Sequence, residues 1–167
     1  MIARYRLLRE RIKAELSDVR RGAEKATQAY QAARRDERQR TFFLDSVAIN
    51  LHGVYNGIER ILEWLAREVD EGLPAGPNWH RDLLMQMTLQ VEGLRPAVIR
   101  SQTAHGLEEY LRFRHLVRNL YTWNFEADKL AELIARLPHV LADLEVDLEH
   151  FGPFLEVAST ADEPATD

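Results

Sequence analysis

Residues 44–69 read LDSVAINLHGVYNGIERILEWLAREV. Within them Leu44, Val47, Leu51, Val54, Ile58, Ile61, Leu65 and Val69 recur at steps of three and four, the period of one helix face. Upstream, Tyr5, Leu8, Ile12, Leu16, Val19, Ala23, Ala26 and Tyr30 form a similar stripe over about seven turns, with Gly22 as its weak point. Residues 34–40 carry no apolar side chain and read as a turn or a solvated helix end. Downstream, residues 70–77 (DEGLPAGP) read as a loop, and Asn78 as the N-cap of a short helix holding Trp79, Leu83, Leu84 and Met87. Gly93 and Pro96 break the pattern. Ser101 is the expected N-cap of a fourth helix to about Tyr121, followed by a corner at residues 122–125. Leu130, Leu133, Ile134, Leu137, Val140, Leu141, Leu144 and Leu148 mark a fifth helix, kinked at Pro138 and ended or bent at Gly152-Pro153. No segment alternates at period two for long enough to be a strand. The expected fold is all-α, an antiparallel up-and-down bundle of four to five helices. It should occupy residues 1–156, with an acidic disordered tail over 157–167.

The 167-residue length suits one domain with a real core. The chain has no cysteine, which excludes disulfides, thiolate catalysis and cysteine-ligated metals. No apolar run approaches the roughly 20 residues needed to cross a bilayer. The charged start, Met1 to Arg6, has no secretory core, so a cytoplasmic protein without membrane contact is expected. The net charge of −5 argues against coating nucleic acid by bulk charge. Residues 1–40 nevertheless carry 12 Lys/Arg against 6 Asp/Glu, whereas residues 123–167 carry 2 against 11. Such a gradient fits a basic first helix lying beside an acidic last one, or a basic arm for RNA.

The fourth helix carries the densest polar chemistry, at residues 110–121 (YLRFRHLVRNLY). Advancing about 100° per residue from Arg114 puts Tyr110, Phe113, Leu116, Val117, Leu120 and Tyr121 between roughly 200° and 340°, the expected core face. Arg112, Arg114, His115, Arg118 and Asn119 fall on the other side, with no acid among them. Such a strip suits a phosphate, because guanidinium groups fork onto its oxygens and a His or Asn beside them donates too. A solvated or ion-paired helix face is the competing reading. On the second helix His52, Asn56, Glu59 and Glu63 share one side, flanked by Gly53 and Gly57, which admit a neighbouring backbone. That stripe reads as a proton shuttle, as half a metal site, or as a buried hydrogen-bond network at a helix or dimer interface. Its spacing supplies only two good zinc ligands, which disfavours zinc. His80, His105, His139 and His150 show no partner spacing, and Trp64, Trp79 and Trp123 read as core or interface anchors. The chain lacks GxGxxG, P-loop, GxSxG and HExxH motifs, against the common nucleotide-dependent and hydrolytic enzymes.

The bundle together with residues 114–121 resembles the HEPN superfamily, in particular its HepT-like branch. That family's motif is an Arg, a polar residue, three further residues, a His, one residue and a Tyr. Arg114, His115 and Tyr121 take the Arg, polar and Tyr places, and Asn119 takes the place of the His. Residues 51–60 (LHGVYNGIER) resemble the helix that packs beside the motif. The resemblance implies a component of a two-gene toxin–antitoxin module whose partner is a minimal nucleotidyltransferase (MNT). It also implies a homodimer whose motifs converge in one cleft, and metal-independent ribonuclease chemistry with no cofactor. Silencing would come from transfer of AMP to Tyr121. In that chemistry a His moves a proton while an Arg stabilises charge on the phosphate. Asn119 hydrogen-bonds but does not titrate. The expected site is therefore Arg114 with His115 and Asn119, with Arg112 and Arg118 on RNA and His52, Asn56 and Glu59 in support. His115, or His52 supplied across a dimer, would fill the empty role. The alternative is an inactive subunit that holds the partner, RNA or both. By angle, Tyr121 falls on the apolar edge of its helix.

Overall fold

The computed structural model describes residues 2–119 and 125–160, without the side chains of Ile2, Ala3 and Asn119. Its helices are α1 (Ile2–Arg35), α2 (Arg40–Glu68), α3 (Trp79–Thr88), α4 (Ser101–Asn119) and α5 (Ala127–Thr160). Among the described residues the one β pairing is an isolated bridge between Val91 and Arg95. No described helix is long and apolar enough to cross a membrane. All eight apolar residues read from 44–69 are buried, and α2 is the central element, packed on α1, α3, α4 and α5. Of residues 34–40, residues 36–39 form the first connection, and the rest belong to the two helices. Asp36 accepts from the amides of Arg38 (3.0 Å) and Gln39 (3.2 Å), which closes a single 3₁₀ turn between α1 and α2.

Ion pairs set the helix directions. Arg4 meets Glu68 and Arg60 meets Glu15 (2.9 Å), so α1 and α2 run antiparallel. Arg9 meets Glu156 and Arg20 meets Glu145 (2.6 Å), which lays basic α1 antiparallel to acidic α5. Arg100 meets Asp147, and Lys129 meets Glu109 (3.0 Å), which orders α4 against α5. Tyr110 donates its hydroxyl to the Leu133 carbonyl across the same pair of helices (2.7 Å). The charge gradient along the chain is thus spent partly between two helices that lie side by side.

Several expectations need correction. Of the two outcomes expected at Gly152-Pro153, an end or a bend, the end does not occur: Pro153 lies inside α5, as does Pro138, and the helix continues to Thr160. Phe151 and Leu155 are buried on either side of Pro153, and their apolar contact offsets the backbone bond that proline cannot make. The tail boundary at 157 likewise falls within helix, where Ser159 is buried and bonds the Glu156 carbonyl (2.6 Å). Residues 161–167 lie outside the described residues, as does the corner at 122–124. Asn78 stands at the N-cap of α3 but makes no side-chain cap bond. Ser101 is the first residue of α4 rather than its cap. Asp147 of α5 does the capping instead, accepting from the Arg100 amide (2.9 Å) and the Thr103 hydroxyl (2.6 Å).

The two glycines of α2 differ. A Cβ on Gly57 would stand 2.6 Å from Val19 Cγ2 of α1, so glycine is what lets the helices meet there. Gly53 is exposed with nothing near such a Cβ, and admits no neighbour. Gly57→Ala should therefore destabilise by about 1 kcal/mol or more. Gly53→Ala should stabilise by up to about 1 kcal/mol through helix propensity. Urea melts of the two variants check this, and equal effects would contradict the packing.

Candidate functional site

Three helices converge on one buried cluster. Arg114 of α4 is 9% exposed, Glu59 of α2 4% and His80 of α3 8%. The Arg114 Nη2 lies 3.1 Å from Glu59 Oε1, and its Nε donates to Asn56 Oδ1 at 2.7 Å. His80 Nδ1 lies 2.7 Å from Glu59 Oε2, and its Nε2 faces Arg114 Nη1 at 3.4 Å. Asn56 Nδ2 in turn lies 3.1 Å from His52 Nδ1. Glu59 thus divides its two oxygens between a guanidinium and an imidazole. A buried ion pair is tolerated only when its remaining polar atoms are satisfied in this manner.

Arg114 is buried because α4 is buried on more than one side. Leu107, Leu111 and Val117 are buried along with Tyr110 and Phe113, and Arg114 falls between Leu111 and Val117 on that surface. The expected core face is corrected in two respects. Arg114 points inward toward α2, and Leu116, placed in the core by angle, is 49% exposed. Counting apolar residues alone rotated the helix away from its charged core position.

The short helix α3 carries His80 to the cluster, and a separate lock holds α3. Arg95, fully buried, pairs with Asp70 through Nε and, at 2.7 Å, through Nη2. It also donates to the carbonyls of Leu89 (2.7 Å), Pro96 (3.1 Å) and Gln86 (3.1 Å). The amides of Val98 (2.9 Å) and Ile99 (3.2 Å) meet the Met87 carbonyl. These bonds pin α3 and the following loop to the end of α2. The Trp79 ring lies tilted against that of His80 with ring centres 3.7 Å apart, and His115 meets the His80 ring edge-on at 5.3 Å.

The network assigns protonation. Burial, then the charges of Arg114 and Arg118, hold the His80 imidazole below its usual pKa, with Glu63 opposing. The carboxylate of Glu59 is already balanced by Arg114, so a proton on His80 would add a net buried charge. Neutral His80 then donates Nδ1–H to Glu59 and turns the Nε2 lone pair toward Arg114. Burial pushes Glu59 up, and Arg114 pulls it back. His52 is lowered by burial, then by Arg114 and Arg118. Its Nε2 is buried and has no hydrogen-bond partner among the described residues. His115 is exposed, yet desolvation against the cluster, followed by His80 and Arg114, lowers it too.

Of the residues expected at the site, the structure brings Arg114, Asn56 and Glu59 into direct contact, with His52 linked through Asn56. His115 stands at the edge and Arg118 is exposed on the same helix. Arg112 is instead exposed and paired with Glu109 (2.7 Å), away from the cluster. The side chain of Asn119 and all of Tyr121 lie outside the described residues. His80 was missed because its partner is 21 residues earlier, across a loop, and not at helical spacing. A signal was present: His80, Leu83, Leu84 and Met87 make one buried stripe of α3. Trp64 belongs to the α1–α2 packing, with the Arg11 guanidinium 4.2 Å above its ring. Among the described residues no group of three or more His, Asp or Glu side chains is placed to hold a metal.

Fold and site together define a helical bundle of the HEPN type, with a charged cluster between its central helices. A family model described as HepT-like protein matches residues 46–155, about two thirds of the chain, and the protein belongs to that family. The match runs from α2 into α5 and contains every member of the cluster. No curated protein and no solved structure matches the chain.

Two measurements check the cluster. Arg114→Ala leaves Glu59 buried without its cation and should cost about 3 kcal/mol in a denaturant melt; a loss under about 0.5 kcal/mol would contradict the burial. The histidines give a pH dependence. Below the ordinary pKa of about 6.5 the unfolded chain binds protons that folded His52 and His80 refuse, so stability falls with pH from that point down. Glu59, raised in the fold, acts in the opposite sense in the more acidic carboxylate range. Melting temperature should therefore drop between pH 7.5 and 5.5, and drop less in His80→Asn.

Proposed function

We propose that this chain is the toxin of a HEPN–MNT toxin–antitoxin module and cleaves RNA without a metal. The observation that carries the reading is the convergence of Arg114, Glu59 and His80 from three helices. A guanidinium and a neutral imidazole held side by side are the groups that phosphodiester cleavage needs, one for phosphate charge and one for the proton. Arg114 is the phosphate-binding group, with His115 next to it in the chain and Asn119 in the family's His place. Arg118 is exposed next to the cluster and serves the RNA backbone, and Arg112, shared with Glu109, contributes from the rim. His52, Asn56 and Glu59 hold Arg114 in place. In this reading the protein acts in the cytoplasm as a homodimer, and the MNT partner silences it by modifying Tyr121.

A second reading has one specific observation in its favour. Asn119 stands where the family has a titrating His, which fits a catalytically inactive subunit that holds the partner, RNA or both. Growth after induction of this chain alone separates the two. The toxin reading expects arrest by the wild type and none by Arg114→Ala. Arrest by neither would favour the inactive subunit.

A further inference from the structure

We infer that His80, presented from α3, is the proton-transferring residue of this site, and that Glu59 is its positioning residue. The inference rests on the ribonuclease reading above and names the group that fills the role left empty at Asn119.

Three geometric observations support it. The Glu59 carboxylate fixes His80 through Nδ1 at 2.7 Å, which leaves Nε2 as the basic atom, the orientation a carboxylate gives a catalytic imidazole. Nε2 points to the group that would bind the phosphate, Arg114 Nη1, at 3.4 Å. That separation is at the outer limit of a hydrogen bond, so it is the weakest link of the cluster and the one an entering phosphate replaces. The Trp79 ring lies tilted against His80, and the Arg95–Asp70 lock holds α3 behind it. His80 and Arg114 side chains each keep about a tenth of their surface open. Among the described residues His115 has no carboxylate partner within hydrogen-bond reach; it is exposed and stands one ring further out.

The step balances without a cofactor. His80 Nε2 takes the proton of the ribose 2′-hydroxyl as the 2′-oxygen bonds to phosphorus. The bond from phosphorus to the 5′-oxygen breaks, and the imidazolium returns the proton to that oxygen. The products are a 2′,3′-cyclic phosphate and a 5′-hydroxyl end. Arg114 carries the charge that builds on the phosphoryl oxygens. The charged and titratable groups facing His80 are Glu59 and Glu63 of α2 and Arg114, His115 and Arg118 of α4. Their balance keeps the imidazole neutral, and so able to accept a proton, at neutral pH.

The test is cleavage of single-stranded RNA in excess EDTA by the purified full chain. Asparagine can reproduce the Nδ1–H bond to Glu59 without a titrating ring. His80→Asn should lose about 100-fold or more in kcat/KM while RNA affinity stays within a few-fold. His105→Ala, whose side chain is 85% exposed, should match the wild type. Glu59→Gln removes the charge that supports the imidazolium and should move the acid limb of the pH profile to lower pH. A purely structural Glu59 would leave that limb in place. His80→Asn cleaving within a few-fold of wild type overturns the role of His80 and leaves the ribonuclease reading standing. An unmoved limb in Glu59→Gln overturns the positioning role, and decides the matter should His80→Asn fail to fold. Absence of cleavage by the wild type overturns the ribonuclease reading and the role of His80 together.

Discussion

The buried pair between Arg114 and Glu59 constrains everything around it. A guanidinium and a carboxylate taken out of water cost several kcal/mol each, and their attraction offsets that only when the leftover donors and acceptors are satisfied. Asn56 Oδ1 accepts from the Nε–H of Arg114, and His80 Nδ1 meets the second oxygen of Glu59. Each partner comes from a place the fold must deliver: α2 must present Asn56 and Glu59 one turn apart, α4 must turn Arg114 inward, and α3 must sit close enough for its first turn to reach. A helical bundle could pack leucines at this junction with less risk. The retention of a charged cluster in the core of a small domain fits chemistry better than stability.

That requirement explains the part of the chain that looks least regular. Residues 70–100 leave the long-helix pattern, and a loop, a ten-residue helix and an isolated bridge take its place. Arg95 spends its donors on Asp70 and three backbone carbonyls, so this segment is tied down as firmly as a helix would be. The irregular insert is thus a mount for His80. Asp147 plays the equivalent part at the start of α4, holding it from a neighbouring helix through the Arg100 amide and the Thr103 hydroxyl.

Much of this was legible in the sequence where the information was local. The 44–69 stripe gave α2 and its buried side correctly, and the antiparallel bundle followed from four such stripes with short breaks. His52, Asn56 and Glu59 were read as one polar face because helical spacing places them together. The cluster was only half legible because its remaining contacts are tertiary. Nothing local ties His80 to Glu59, and an arginine on a buried stripe looks like an arginine on a solvated one until its partner is known. The end of α5 is hard to read for a related reason. Local rules end a helix at Gly152-Pro153, while Phe151 and Leu155, buried in the same core, carry it on.

At the centre of this site stands a neutral His80, with its proton on Nδ1 toward Glu59 and its lone pair toward Arg114. Nitrogen NMR of the imidazole in the intact protein at pH 7 reads that state directly. The account predicts a protonated Nδ1, an unprotonated Nε2 and a titration midpoint below that of an ordinary histidine. An imidazolium at pH 7, or a proton on Nε2 instead, would contradict it.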